Sequence, residues 1–198
     1  IIVAYDGTRY KGWQVQKSTD DTIQGKLQHV LSTLAGKPVL YYALKAFEES
    51  DITDIILVTG ADEEAYCKRK IIDKYHIGKV KAIVPGGVER YHSVYAGLCA
   101  AEGADYVLIH DGARPLVDNE IIVRSMHTVE KEKACVAGMP VKDTIKVSDE
   151  LGYSANTPDR KSLWQIQTPQ CFEYDLLAQS YDCLLYTSPS PRDPKTSR

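Results

Sequence analysis

Two short segments carry residue types suited to a phosphorylated ligand. In His110-Asp111-Gly112-Ala113-Arg114-Pro115 an acid and a guanidinium stand three positions apart, directly after the apolar run 106 to 109. A carboxylate suits Mg²⁺, a hard cation that takes oxygen ligands, and a guanidinium offers phosphate a bidentate fork. If the run is a strand of an open parallel sheet, both groups emerge at its carboxyl end, where such sheets bind ligands. The alternative is that Asp111 only caps the next loop, with Arg114 on the surface. In Pro85-Gly86-Gly87-Val88-Glu89-Arg90 the glycine pair lets backbone approach a ligand closely, and N–H groups at the start of a following helix favour anions. Arg90 and Ser93 fall on the first turn of that helix. Gly86-Gly87 is equally compatible with an ordinary turn. Thr144, Arg160 and Thr168 offer hydroxyls and charge suited to a polyol phosphate, although hairpins commonly contain the same residue types.

The remaining polar candidates point to structure. His29, His76, His92, His110 and His127 show no metal-ligand spacing, and His110 at a strand end reads as a hydrogen-bonded structural residue rather than a base. Cys67, Cys99, Cys135, Cys171 and Cys183 are odd in number, widely spaced and without a C-x-x-C pair, so they read as reduced thiols, mostly core filler. Trp164 and the thirteen tyrosines read as packing, since no basic and aromatic run forms a stacking platform.

These groups need a sheet to hold them. Apolar runs at 55 to 58, 80 to 84, 106 to 109 and 134 to 137 are short, continuous and rich in β-branched residues, as strands buried on both faces are. Helical stretches lie between them. Residues 62 to 75 pass from acids to lysines along the dipole, 89 to 102 space Val94, Leu98 and Ala101 at i, i+4, i+7, and 118 to 131 open on Asp118 as N-cap. The alternation predicts right-handed βαβ crossovers in a mostly parallel sheet. Upstream, Ile1 to Tyr5 suggests a strand, and 22 to 35 a helix with Ile23, Leu27, Val30, Leu31 and Leu34 on one face, stopped by Gly36 and Lys37-Pro38. From 142 to 168 the pattern weakens into a hairpin-like arm turning at Asp149 to Gly152, too sparse in apolar residues to stand alone and expected to pack on another subunit.

The chain has 198 residues, 43% hydrophobic and 26% charged, with net charge −3. That composition excludes a wholly disordered chain and gives no general attraction to nucleic acid or anionic membrane. With no bilayer-length apolar stretch and no signal-peptide layout, the expectation is a cytoplasmic protein without membrane partners. The first residue, Ile1, reads as a cut terminus. The last twelve residues contain none of the hydrophobic types and three of the nine prolines, so they are expected to be disordered, within a non-native tail taken as 183–198.

From about Gly36 to Asp182 the chain closely resembles the 2-C-methyl-D-erythritol 4-phosphate cytidylyltransferases of the non-mevalonate isoprenoid pathway. The stretches GKPVLYYALKAFEES, VPGGVERYHSV, YVLIHDGARP, PVKDTIK and TPDRKSLWQIQTPQCF carry the resemblance, in order and spacing. It implies an α/β fold: a mostly parallel, Rossmann-like nucleotidyltransferase sheet with helices on both faces and a β-hairpin dimerisation arm. It also implies a homodimer that joins CTP to the sugar-alcohol phosphate with release of pyrophosphate. Gly86, Gly87, Val88 and Ser93 would lie at cytosine and ribose, with Arg90 supporting the loop; many members have Asp at the Val88 position, so that side-chain contact is lost. Asp111 would bind Mg²⁺ near the α-phosphate, making it and Arg114 the expected catalytic pair. Arg114, Thr144 and Thr168 would hold the methylerythritol phosphate, and Arg160 would reach the neighbouring subunit's site.

Some family features are missing from the sequence. An opening Gly-rich loop L-A-A-G-x-G-x-R-M followed by P-K-Q, and a final part with a lysine near the substrate, do not occur. Turnover below detection is the resulting expectation for the chain as it stands. The first residues, Ala4-Tyr5-Asp6-Gly7-Thr8-Arg9-Tyr10-Lys11-Gly12-Trp13-Gln14 and Thr22-Ile23-Gln24-Gly25-Lys26-Leu27, resemble instead the N-terminus of tRNA pseudouridine synthases, without that family's R-T-D-A-G motif. The expected organisation is therefore chimeric: a fragment over 1–38, an incomplete cytidylyltransferase domain over 39–182, and the tail. Ile1 to Tyr5 could still fill the place of the family's first strand. Alternative readings are a tRNA-modifying fragment, with tRNA as partner, or an inactive nucleotide-binding scaffold. A single long read across the source locus should show the joins broken; intact joins would overturn the chimera.

Overall fold

The computed structural model describes residues 2–4 and 33–186. Its centre is a six-stranded sheet of β1 (Ile2–Ala4), β4 (Ile55–Thr59), β5 (Val80–Pro85), β6 (Tyr106–Asp111), β7 (Ala134–Pro140) and β10 (Trp164–Glu173), in the order β5-β4-β1-β6-β10-β7. β5, β4, β1 and β6 pair in parallel, whereas β10 runs antiparallel to both β6 and β7. All five residues of β4 and the four from Val107 to His110 in β6 are buried. These are the continuous apolar runs of the sequence, which only a sheet covered on both faces can accommodate.

Each face has its own cluster. On one side α1 (Val39–Glu48), the helical segment over 64–75 (α2) and α4 (Asn119–Glu132) cover Ile55, Leu57 and Leu108 with Leu40, Leu44, Phe47, Ile71 and Ile122. On the other, Val94 and Leu98 of α3 (Arg90–Ala100) and Leu177 of α5 (Tyr174–Tyr186) cover Val58, Val107 and Ile109. Successive residues of a strand point to opposite faces, so β4 and β6 each feed both clusters.

The predicted central strands and helices are present, with informative departures. The stretch 62 to 75 is not one regular helix. It consists of Glu64–Cys67, a π-helical turn Lys68–Ile72 and Asp73–Tyr75, together α2. The wider turn brings Cys67 and the adjacent pair Ile71 and Ile72 into the same cluster. Asp118 caps α4 as expected, its Oδ1 accepting from the Ile121 N–H at 2.8 Å. The apolar repeat Leu40, Ala43, Leu44, Phe47 that buries α1 was not read from the sequence as a helix.

At the N-terminal end the strand expected over 1 to 5 lies inside the main sheet, with Ile2 in register with Ile56 and Ile109, and Ala4 with Val58 and Asp111. It therefore occupies the sheet's centre. Most of the helix expected over 22 to 35 lies outside the described residues, but its last turn is not helical. β2 (Thr33–Leu34) pairs with β3 (Lys37–Pro38) around Ala35 and Gly36, whose φ values are 48° and 76°. Two positive φ values define a tight hairpin turn, so Gly36 serves that turn and not a helix end. At the other end α5 runs to Tyr186, into the segment expected to be a tail; 187–198 lie outside the described residues.

The arm is small. β8 (Val147–Ser148) pairs with β9 (Ser154–Asn156), and Asp149 Oδ1 closes the turn by accepting from the N–H groups of Leu151 and Tyr153 at 3.0 and 2.8 Å. The last part of the expected arm belongs to β10, a ten-residue strand. Among the described residues no helix is long and apolar enough to cross a membrane. The cysteines form no disulfide: Cys67 and Cys171 are buried, Cys135 partly so, and Cys99 and Cys183 exposed. Burial pushes the Cys67 and Cys171 thiols up to about 11 and about 12, which keeps them protonated core groups.

Phe47 is fully buried between α1 and the sheet. Phe47→Ala should lower the unfolding free energy by roughly 3–5 kcal/mol in a urea titration, because it leaves a cavity under a close-packed layer.

Candidate active site at the carboxyl edge of the sheet

The parallel strands all end toward one edge, and the charged residues gather there. β5 ends at Pro85, and the Gly86 N–H donates to the Thr59 carbonyl at the end of β4 at 2.7 Å. Gly87 then donates to Ser93 Oγ at 3.1 Å, folding the loop back on the first turn of α3. A Cβ on Gly86 would lie 2.7 Å from Ser93 Oγ and 3.1 Å from the Thr59 carbonyl, and one on Gly87 only 2.2 Å from His92 Cβ. Both glycines are thus required by close approach within the loop itself. Glu89 and His92 cap the helix reciprocally, each side chain bonding the other's backbone N–H. Val88, between glycine pair and cap, is exposed.

α3 delivers Arg90 to the end of β6. Its Nη2 donates to Asp111 Oδ1 and to Gln170 Oε1, both at 3.3 Å. Arg114 comes from the loop after β6, its Nε donating to Asp111 Oδ2 at 3.0 Å and its Nη1 to Gln167 Oε1. Asp111 therefore stands between two guanidinium groups, each also held by a glutamine of β10. Two cations and one carboxylate leave a net positive site on a partly exposed edge, a suitable seat for phosphate. A carboxylate has about four lone-pair directions, so oxygen positions on Asp111 remain for a cation.

His110 is 1% exposed and lies edge-on to Phe47, ring centroids 5.3 Å apart. Burial holds its pKa below the usual histidine range, against the raising effect of its bond to the Arg114 backbone. Nε2 is 3.0 Å from the Arg114 carbonyl and Nδ1 is 3.1 Å from Thr168 Oγ1, which also accepts from the Asp111 N–H at 3.3 Å. This agrees with the structural reading of His110. Thr168 reaches the group because the β10–β7 register breaks between Ile166 and Gln170. Gln167 and Thr168 leave the β7 ladder there and turn to the end of β6.

The structure thus unites Gly86, Gly87, Arg90, Ser93, Asp111, Arg114 and Thr168 along one edge. Thr144 and Arg160 belong to the exposed arm instead, where Arg160 Nη1 donates to the Lys142 carbonyl at 2.9 Å. Gln167 and Gln170 were not singled out in the sequence. Their strand gives no alternation signal across the bulge, and only the folded register shows which way they face.

An open, mostly parallel sheet with a glycine loop and a cationic cluster at its carboxyl edge defines an α/β protein with the layout at which such sheets receive ligands. The chain belongs to the 2-C-methyl-D-erythritol 4-phosphate cytidylyltransferase family, whose model matches residues 21–188. That match begins inside the segment resembling pseudouridine synthases and spans the join expected near Gly36. The chain is 52% identical over 151 residues to the cytidylyltransferase of Lachnoclostridium phytofermentans, covering 76% of this chain and 65% of that one. It is 47% identical over 157 residues to that of Caldanaerobacter subterraneus, covering 78% and 69%. The chain so spans about two thirds of these relatives' length. Among solved structures, 4-diphosphocytidyl-2C-methyl-D-erythritol synthase from Anaerococcus prevotii superposes with a TM-score of 0.74 at 32% identity, covering 81% of this chain and 70% of that one.

Because a side chain at position 87 has no space, Gly87→Ala should destabilise the fold by roughly 1–3 kcal/mol and displace the loop from Ser93, measurable by urea unfolding and by faster amide exchange at positions 87 and 88 than in the wild type.

Proposed function

We propose that this chain is a cytidylyltransferase domain that takes CTP and 2-C-methyl-D-erythritol 4-phosphate. The observation that carries the reading is Asp111 held between Arg90 and Arg114, beside the Gly86-Gly87 loop, in a chain of this family. In the reaction a phosphate oxygen of the methylerythritol phosphate attacks the α-phosphorus of CTP in line. The new oxygen–phosphorus bond forms as the bond to the bridging oxygen breaks, and pyrophosphate leaves with the electron pair.

The loop of Gly86, Gly87 and Val88 with Ser93 receives the nucleoside, and Arg90 braces the loop against Asp111. Arg114 holds the incoming phosphate, and Thr168, whose hydroxyl is shared between His110 and the Asp111 N–H, fixes the end of β6 beneath it. Thr144 and Arg160 complete the site through the arm, which pairs two copies. Leu151 and Tyr153, 82% and 71% exposed in a hairpin with little core of its own, support that pairing. Asp111 fits Mg²⁺ of the kind that arrives with a nucleotide, since one carboxylate with free lone pairs suffices when phosphates and water supply the other oxygens. When bound, such an ion neutralises charge on the phosphates. Both substrates are water-soluble, which suits a cytoplasmic setting. The family match over 21–188 favours this reading over tRNA modification.

Calorimetric titration tests it. CTP with Mg²⁺ should bind the wild-type chain, and Asp111→Ala should weaken binding roughly tenfold to a hundredfold with Mg²⁺ present but little without it. Equal binding by both proteins would overturn the assignment of Asp111, and no binding by wild type would overturn the nucleotide site.

A further inference from the structure

We infer that His110 is a positioning residue that sets the Arg114 loop and Thr168 relative to one another, as a single Nε2–H tautomer donating on one side and accepting on the other. The ring is fully enclosed, 1% exposed, so its polar atoms have no water to turn to. A backbone carbonyl can only accept, so the nitrogen 3.0 Å from the Arg114 oxygen carries the proton. In a neutral ring the other nitrogen is then an acceptor, and at 3.1 Å it takes the Thr168 hydroxyl hydrogen. That orientation turns a Thr168 lone pair to the Asp111 N–H, 3.3 Å away. One chain of bonds thus runs from the backbone of Asp111 through Thr168 and the imidazole to the backbone of Arg114.

The chain joins two elements far apart in sequence. Thr168 stands on β10 where it has left the β7 ladder, while Asp111 and Arg114 flank the turn after β6. That turn is closed by the Arg114 N–H donating to the Asp111 carbonyl at 2.9 Å. The imidazole holds the same turn from beneath, through the Arg114 carbonyl. Phe47 packs edge-on to the ring and restrains its orientation. His110 itself does not reach the exposed edge, so it acts through Arg114 and Thr168.

The inference rests on the proposed role of Arg114 at the methylerythritol phosphate, so its test has one arm that needs no ligand. In ¹⁵N-histidine-labelled protein, His110 should show a protonated Nε2 and a bare Nδ1, and Thr168→Val should shift Nδ1 most. A protonated Nδ1, or an Nδ1 signal indifferent to Thr168→Val, overturns the inference whether or not any substrate binds. In the second arm, His110→Phe keeps the ring and removes both bonds. It should weaken calorimetric binding of 2-C-methyl-D-erythritol 4-phosphate roughly tenfold to a hundredfold, while binding of CTP without Mg²⁺ changes less than about twofold. His110→Asn, which retains an acceptor near Nδ1, and His110→Gln, which retains a donor near Nε2, should each recover part of the loss. Unchanged binding by His110→Phe, or equal weakening toward both ligands, overturns the positioning role. Wild type that binds neither ligand overturns the proposed function instead, and the labelled-histidine result then decides the inference alone.

Discussion

The structure turns on β6, a strand that must be apolar on both faces and yet end in a charged group. Val107 and Ile109 face the cluster under α3 and α5, while Leu108 faces the cluster under α1 and α4. His110 follows on the latter side, enclosed and still polar. An imidazole meets that conflict because its body packs against Phe47 while both nitrogens find partners. A buried polar group without partners would cost of the order of 1–3 kcal/mol, so the network is as much a condition for the strand's burial as a support for the site. One residue later Asp111 reaches the edge with both oxygens engaged by cations.

The antiparallel strand β10 completes what β6 begins. A regular ladder with β7 would point Gln167, Thr168 and Pro169 alternately up and down. The break between Ile166 and Gln170 releases Gln167 and Thr168 toward the end of β6 instead. Gln170 then meets Arg90, Gln167 meets Arg114, and Thr168 meets His110 and Asp111. Bulges commonly re-aim side chains next to functional sites, and this one brings a sheet-edge residue set to a loop more than fifty positions earlier in the chain. The glycine loop is shaped by the opposite kind of constraint: Gly86 and Gly87 are fixed by contact with Ser93, Thr59 and His92, not by conformational freedom.

The legibility of each part follows from how local its cause is. The runs in β4, β5 and β6 and the repeat Val94, Leu98 are recorded in neighbouring residues, and so is the Asp118 cap. The π-turn at Lys68–Ile72 is not, because a widened turn is chosen by the cluster that must receive Ile71 and Ile72. The last turn of the helix expected near 35 is replaced by a hairpin for a related reason. Leu34 continues an apolar repeat, but Ala35 and Gly36 form a tight turn and Pro38 leads directly into α1. Likewise, Ile2–Ala4 reads as a strand in isolation, and only pairing with both β4 and β6 reveals it at the centre of the sheet.

By itself the sequence determined the α/β class, the edge at which Gly86, Gly87, Asp111 and Arg114 would emerge, and the family, because apolar periodicity and motif order are written along the chain. The tertiary structure alone decided the partnerships. Arg90 on the carboxylate of Asp111, the two glutamines behind the guanidinium groups and the Thr168 hydroxyl on His110 all depend on distances between segments twenty to eighty residues apart. No local pattern encodes such distances. They are set when the two clusters close on the sheet and fix the register of β10 against β6.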